Sequence, residues 1–421
     1  MRTATRSGRG APPATNDLAT RYRAVREAST MLCAPLAPED MTVQPMPDAS
    51  PAKWHLAHTT WFFETFVLKS SVVGYRSFHP QFEYLFNSYY NAVGPQWYRP
   101  HRGLLTRPTV AEVLEYRAHV DATMARVLET GSYPEAVVEL GLHHEQQHQE
   151  LILTDVKYLL AQNPLRPVYR QPITDIRQDA SPPLGWIEGT PGLHAIGFPG
   201  LGFAFDNESP RHDELLRPYR IADRLVTNGE YREFIADGGY RRPELWLSDG
   251  WAVVRERGWQ APLYWFERED GWWIYTLAGF RGLTDAEPVC HVSFYESDAY
   301  ARWRGARLPT EAEWEVAAAS EPIRGNFVEG GRFHPVPGKG GARQFFGDAW
   351  EWTASPYLAY PGYRPVPGAL GEYNAKFMCN QFVLRGGSCA TPRSHIRVTY
   401  RNFFPPDARW QFSGIRLAAD A

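Results

Sequence analysis

Apolar residues recur at three- and four-residue steps through most of the first 160 positions, and then the pattern changes character. Four stretches carry this helical spacing. The first runs from about Asn16 to Ala34, where Pro35 ends it, because the residue before a proline is pushed out of the helical region. The second opens at Ser50-Pro51, a capping residue followed by the residue suited to the first helical position, and reaches about Lys69. The third follows Pro108 to about Glu129, and the fourth follows Pro134 to about Leu160. Together they predict a four-helix bundle over residues 16–165.

From Asn163 to Gly185 the chain carries Pro164, Pro167, Pro172, Pro182 and Pro183, a density that disfavours helix and predicts an extended linker over residues 166–184. Beyond it come short apolar segments, many turns and two clear helical stretches, Asn228–Ala236 and Tyr295–Arg304. That pattern predicts an irregular α+β domain over residues 185–421. Residues 1–15 are basic and rich in small side chains, with no apolar stretch behind the charges. They are expected to form a disordered tail rather than a secretory leader.

Composition narrows the classes. With 43% hydrophobic and 22% charged residues in 421, the chain folds. Lys plus Arg is 44 and Asp plus Glu is 47, a net charge of -3, which argues against a nucleic-acid or anionic-membrane partner. No apolar run approaches the roughly 20 residues a bilayer requires. Cys33, Cys290, Cys379 and Cys389 show no Cys-x-x-Cys spacing, so buried thiols in a reduced, cytoplasmic protein are expected. Eight of 13 histidines lie in the first 150 residues, which makes the front half the place for metal chemistry.

The sharpest signal is His143-His144-Glu145-Gln146-Gln147-His148. His144, Gln147 and His148 share a helical stripe with Val137, Leu140, Leu151 and Leu159, so both histidines point toward the core. Two imidazoles one turn apart can bind one metal. His143 is turned about 100° away and is not expected to be a ligand. The string is also a literal H-E-x-x-H, the zinc-peptidase pattern with Glu145 as general base, but no downstream histidine is near to complete it. Upstream, His58 lies on the stripe Trp54, His58, Trp61, Phe62, Thr65, and His55 reads as a surface or supporting histidine. Three neutral nitrogens without carboxylate or thiolate suit Fe(II), Zn(II) or Cu.

The His55–His58 segment, the HEQQH string, the proline linker and the Trp/Gly-rich second half resemble the ergothioneine-biosynthetic sulfoxide synthases. These join a DinB-like four-helix bundle to a domain of the formylglycine-generating-enzyme, or sulfatase-modifying-factor, fold. The second half carries that fold's signatures at Leu225–Asn228, Pro288–Ser293, Arg307–Glu315, Asp348–Trp352 and Arg385–Ser388. The resemblance spans roughly residues 18–420. It implies an enzyme that uses Fe(II) and O2 to join a cysteine-type sulfur to the imidazole carbon between the two ring nitrogens of hercynine, giving the sulfoxide. It implies His58, His144 and His148 as iron ligands, leaving positions for thiolate, imidazole and oxygen. Tyr89 and Tyr90 resemble the paired tyrosines of the cysteine-using branch, and Arg99 and Arg102 its carboxylate-clamping arginines. Asn402 matches a hercynine contact, with Gln147 as its partner and Phe403 and Trp410 as aromatic candidates for the quaternary ammonium.

Two departures favour free cysteine as donor. The γ-glutamylcysteine branch has an acid two places after the asparagine, here Phe404, and an active-site tyrosine in its second domain, for which the sequence offers no secure counterpart. Cys389 stands alone after Arg385–Ser388, so the copper-binding cysteine pair of formylglycine-generating enzymes is missing. Competing readings are an ovothiol-type 5-histidylcysteine sulfoxide synthase, an HExxH zinc hydrolase and a non-enzymatic binding module. The sulfoxide-synthase reading expects tolerance of substitution at Glu145.

Overall fold

The computed structural model describes residues 18–171, 180–338 and 343–421. The expected tail at residues 1–15 and the linker's Pro172 lie outside the described residues. The front half is a bundle of α1 (Leu18–Cys33), α2 (Ala52–Phe63), a short α3 (Phe82–Phe86), α4 (Val110–Thr130) and α5 (Glu135–Gln162). α1 packs on α5, and α2 packs on both α4 and α5. Each end has a local cause. Thr109 and Glu112 form a reciprocal cap on α4, and Gly131 ends it in a left-handed conformation that L side chains resist.

The expected Ser50 cap on α2 is not made. Pro51 occupies the capping position without a side-chain bond. The Ser50 hydroxyl instead accepts from Arg102 Nη1 at 2.9 Å. α2 then runs on through a widened turn, Glu64–Leu68, to Ser71. At the α2–α5 crossing a β-carbon on Gly141 would lie 2.6 Å from the Phe63 ring, so glycine sets how closely the two metal-site helices approach.

Among its described residues the rear half holds four small sheets. The one nearest the site is ordered β3 (Asn402–Phe404), β2 (Phe382–Arg385), β1 (Trp350–Pro356), β4 (Ser413–Gly414). β3 runs antiparallel to β2 with Asn402 opposite Leu384. Four longer helices lie among its described residues, not two: α6 (Asn228–Ala236), α7 (Ser248–Arg257), α8 (Phe294–Trp303) and α9 (Glu311–Ala318). α9 escapes apolar-pattern reading because Glu311 and Glu315 are on its buried side, paired with Arg385 and Arg401. α7 is broken as a pattern by Gly250, where a β-carbon would meet the Tyr295 ring at about 2.8 Å. The start of the linker is packed, not free. Tyr169 is buried, and its N–H and that of Arg170 donate to Leu277 of the rear half. No helix among the described residues is long and apolar enough to cross a membrane.

α5 joins the halves. Glu150 accepts from Ser388 Oγ at 2.6 Å and Trp350 Nε1 at 2.7 Å, Gln146 donates to Ser394, and Lys157 donates to His291 Nε2 at 2.7 Å. One helix thus presents a face to the rear domain and another to the bundle interior.

Candidate metal centre

His58 on α2 meets His144 and His148 on α5, with one ring nitrogen from each lying within 4.8 Å of the others. The tautomers follow from the partners. A backbone carbonyl only accepts, so the 2.6 Å bond between His58 Nδ1 and Phe86 O puts the proton on Nδ1 and leaves Nε2 bare. Asp155, as a carboxylate, accepts from His55 Nε2 at 3.0 Å. His55 Nδ1 is then an acceptor, and His148 Nδ1 donates to it at 2.8 Å, which bares His148 Nε2. His144 Nε2 lies 3.2 Å from His58 Nε2, while its buried Nδ1 has no partner.

Withdrawal from water, first of all, drives the His58 and His148 imidazoles well below their usual range, and His144 to about 4. Three neutral rings are therefore gathered with one nitrogen of each within 4.8 Å of the others, an all-imidazole set that fits a divalent metal. The ring of His58 is fixed between Trp54 (4.6 Å between centroids, 13° between planes) and Trp61 (5.5 Å, 17°).

His55 is not on the surface: it is buried and links His148 to Asp155. Removing the carboxylate frees His55 and with it the orientation of His148. Asp155→Ala should weaken metal binding by roughly 10–100-fold, the usual cost of losing such a support, as read by competition with a chromogenic chelator.

Glu145 faces away from the histidines. Its carboxylate is fully buried and accepts from Arg26 Nη1 at 2.9 Å, Arg117 Nη2 at 2.5 Å and Ser29 Oγ at 2.6 Å. Arg26 also holds Asp121 at 2.7 Å. Burial pushes the Glu145 carboxyl up, but Arg117 and Arg26 outweigh it and hold it at about 2. It is an internal counterion, without access to the triad as a general base. This burial between two arginines argues against the tolerance expected at this position. His143 also points elsewhere, stacking on Phe203 at 3.9 Å and bonding His395 at 3.0 Å.

The triad forms the floor of a cavity of about 300 Å³ between the two halves. All eleven site residues singled out in the sequence line it: His58, His144, His148, Tyr89, Tyr90, Arg99, Arg102, Gln147, Asn402, Phe403 and Trp410. Arg102 is buried over the Trp54 ring (3.4 Å to the centroid) and donates to Ser50 and Ser88. Burial lowers it to about 9, since no carboxylate pairs with it among the described residues. Arg99 bonds the Tyr89 hydroxyl and the Asp48 carbonyl. The Nε atoms of both arginines are buried without partners. Gln147 Nε2 donates to Tyr400 OH at 2.8 Å. Asn402 Oδ1 accepts from the Phe403 N–H at 3.0 Å. Phe403 stacks on Tyr357 at 4.1 Å, and Trp410 stands edge-on to Phe404.

Tyr89 has a left-handed backbone (φ 67°), a strained state for a bulky residue. The rear domain holds it there: Glu372 accepts the N–H groups of Asn91 and Ala92, and Lys376 donates to the Tyr89 carbonyl. The same segment brings Tyr373 and Phe377 onto the cavity wall, with Phe377 edge-on to Tyr89 at 4.9 Å. A second-domain tyrosine is thus present, where the sequence offered no secure counterpart. It sits in no motif, and only the chain's path brings it to the site.

The comparisons agree with this architecture. The DinB superfamily profile matches residues 21–152, and the sulfatase-modifying factor enzyme 1-like domain matches residues 190–339 and 331–421. Hercynine oxygenase of Mycolicibacterium smegmatis is 36% identical over 316 residues, covering 67% of this chain and 71% of that protein. Hercynine oxygenase of Mycolicibacterium thermoresistibile is 31% identical over 416 residues, covering 89% and 88%. Formylglycine-generating enzyme of Streptomyces coelicolor is 30% identical over 273 residues, covering 53% of this chain and 84% of its own. A DinB-type bundle fused to a sulfatase-modifying-factor domain, with one relative that matches nearly end to end and another over two thirds, leaves one assignment: the chain belongs to the hercynine oxygenase family and is an oxidoreductase.

Proposed function

We propose that the chain is an Fe(II)- and O2-dependent sulfoxide synthase of ergothioneine biosynthesis, joining the sulfur of cysteine to the imidazole of hercynine. The observation that carries this reading is one cavity holding both a neutral three-histidine set and two arginines that pair with no carboxylate among the described residues. Fe(II) held by His58, His144 and His148 would supply the redox chemistry with dioxygen. The chain's own residues do the rest. Arg99 and Arg102 orient a substrate carboxylate, which would answer the uncompensated charge of Arg102. Gln147 and Asn402 offer amide groups to an imidazole, and the Trp410 and Phe403 rings offer faces to a quaternary ammonium. Tyr89 and Tyr90 line the same cavity, and a phenol there can give or take a proton. All four cysteines are unpaired, which suits a reducing cytoplasm.

The choice of donor rests on residue 404. Tyr373 supplies a rear-domain tyrosine, a feature free cysteine does not require, while Phe404 in place of an acid favours a donor without the extra γ-glutamyl carboxylate. The test is anaerobic loading with Fe(II), addition of hercynine or histidine with cysteine or γ-glutamylcysteine, then air, with product mass and oxygen uptake followed. The cysteine–hercynine sulfoxide is expected; product from γ-glutamylcysteine alone overturns the donor assignment, and product from histidine alone favours the ovothiol-type reaction. In the same assay Arg99→Ala should raise KM for cysteine by roughly 10–100-fold, the value of a charge-assisted hydrogen bond or two.

A further inference from the structure

A second cavity, of about 520 Å³, reaches the triad at His144 along the same face of α5, nearer the N-terminal end of that helix. It shares a wall with the first: Tyr90, His144, Gln147, Phe205, Tyr373 and Asn374 line both. Its outer end is at the surface, where Ala136, Gly202 and Val366 are exposed. Its inner end is Phe62, fully buried, with its ring 4.9 Å from that of His144. Between them lie Val137, Leu140, Phe203 and Leu370. We propose that this cavity is the dioxygen route to the metal centre, separate from the mouth through which the organic substrates come and go.

The inference rests on the reading that the reaction consumes O2. The two cavities divide by chemistry. The polar one carries the arginines that a zwitterion needs. The second has no lysine or arginine among the described residues that line it, and its two acids are already engaged, Glu139 with Arg21 at 3.0 Å and Asp206 with Tyr363 and Asn374. A substrate carboxylate would be desolvated there without a partner. Dioxygen is small, uncharged and poorly solvated by water, so a mainly apolar space concentrates it. Two zwitterions seated in the first cavity would stand between bulk water and the histidines. The second cavity keeps a path open on the His144 side.

The test uses Leu140→Trp, which narrows the route from the bundle, and Leu370→Trp, which narrows it from the rear domain; neither residue lines the substrate cavity. With saturating organic substrates, KM for O2 at an oxygen electrode should rise about fivefold or more, while KM for cysteine and hercynine stays unchanged. Independently of turnover, crystals pressurised with xenon should show the gas in this cavity in the parent protein and not in Leu140→Trp. Unchanged KM for O2 in both folded variants, or no xenon in the parent, overturns the route. A rise in KM for hercynine alone also overturns it and makes the cavity a seat for the quaternary ammonium. Absence of oxygen uptake by the parent enzyme overturns the proposed function as well, whereas uptake with unaltered O2 dependence removes the route alone.

Discussion

Glu145→Ala should destabilise the protein by roughly 3–5 kcal/mol, the cost of leaving buried charge unanswered, and lower the thermal midpoint of the bundle by about 6–20 °C. Arg117 would lose its carboxylate, and Arg26 would keep only Asp121 of its two carboxylates, with the Thr60 hydroxyl beside it. Glu145→Gln retains the shape and the Ser29 bond but not the charge, and should also destabilise. The pH dependence has a fixed sign. The folded carboxyl sits at about 2, below the unfolded value of about 4.3, so its stabilisation is complete above the unfolded value and is lost as pH falls toward 2. Thermal melts from pH 6 downward check this: the parent midpoint should fall through that acidic window more steeply than that of Glu145→Gln. A Glu145 variant with unaltered melting but no activity would instead mark a general base and revive the peptidase reading.

His144→Ala should leave the fold intact and remove the metal. Its Nδ1 bonds nothing in the protein, so the change strands few partners. Loss of a support such as Asp155 costs roughly 10–100-fold in affinity, and loss of a ligand should exceed that, leaving no stoichiometric iron by elemental analysis and no sulfoxide product. His58→Ala should do the same to the metal, with an added stability cost because it empties the slot between Trp54 and Trp61 and deprives Phe86 O of its donor. Iron retained at full occupancy in His144→Ala would sink the three-histidine assignment.

Much of the site was legible because its parts obey local periodicity. His144 and His148 fall one turn apart on an inward stripe, and His58 shares a stripe with the tryptophans that enclose it. What escaped depends on distant partners. Glu145 looked dispensable because its arginines lie 119 and 28 positions away. α9 was missed because buried acids mimic a solvated face until Arg385 and Arg401, 74 and 90 positions downstream of Glu311, are folded against them. His55 and Asp155 read as bland separately and form a chain only across two helices. Tyr373 arrives on a short rear-domain segment whose place is set by contacts with the loop after Tyr89.

Around its axis α5 serves three clients at once: the histidine pair, the internal counterion at Glu145, and the rear-domain contacts of Gln146 and Glu150. Each residue advances such a rod by about 100°. Inserting or deleting a single residue after Gly141 would swing every later position out of phase, detaching cofactor, core and neighbour together. Drift in length should therefore be tolerated in the connecting segments and forbidden within this rod, whatever happens to the identity of its outward residues.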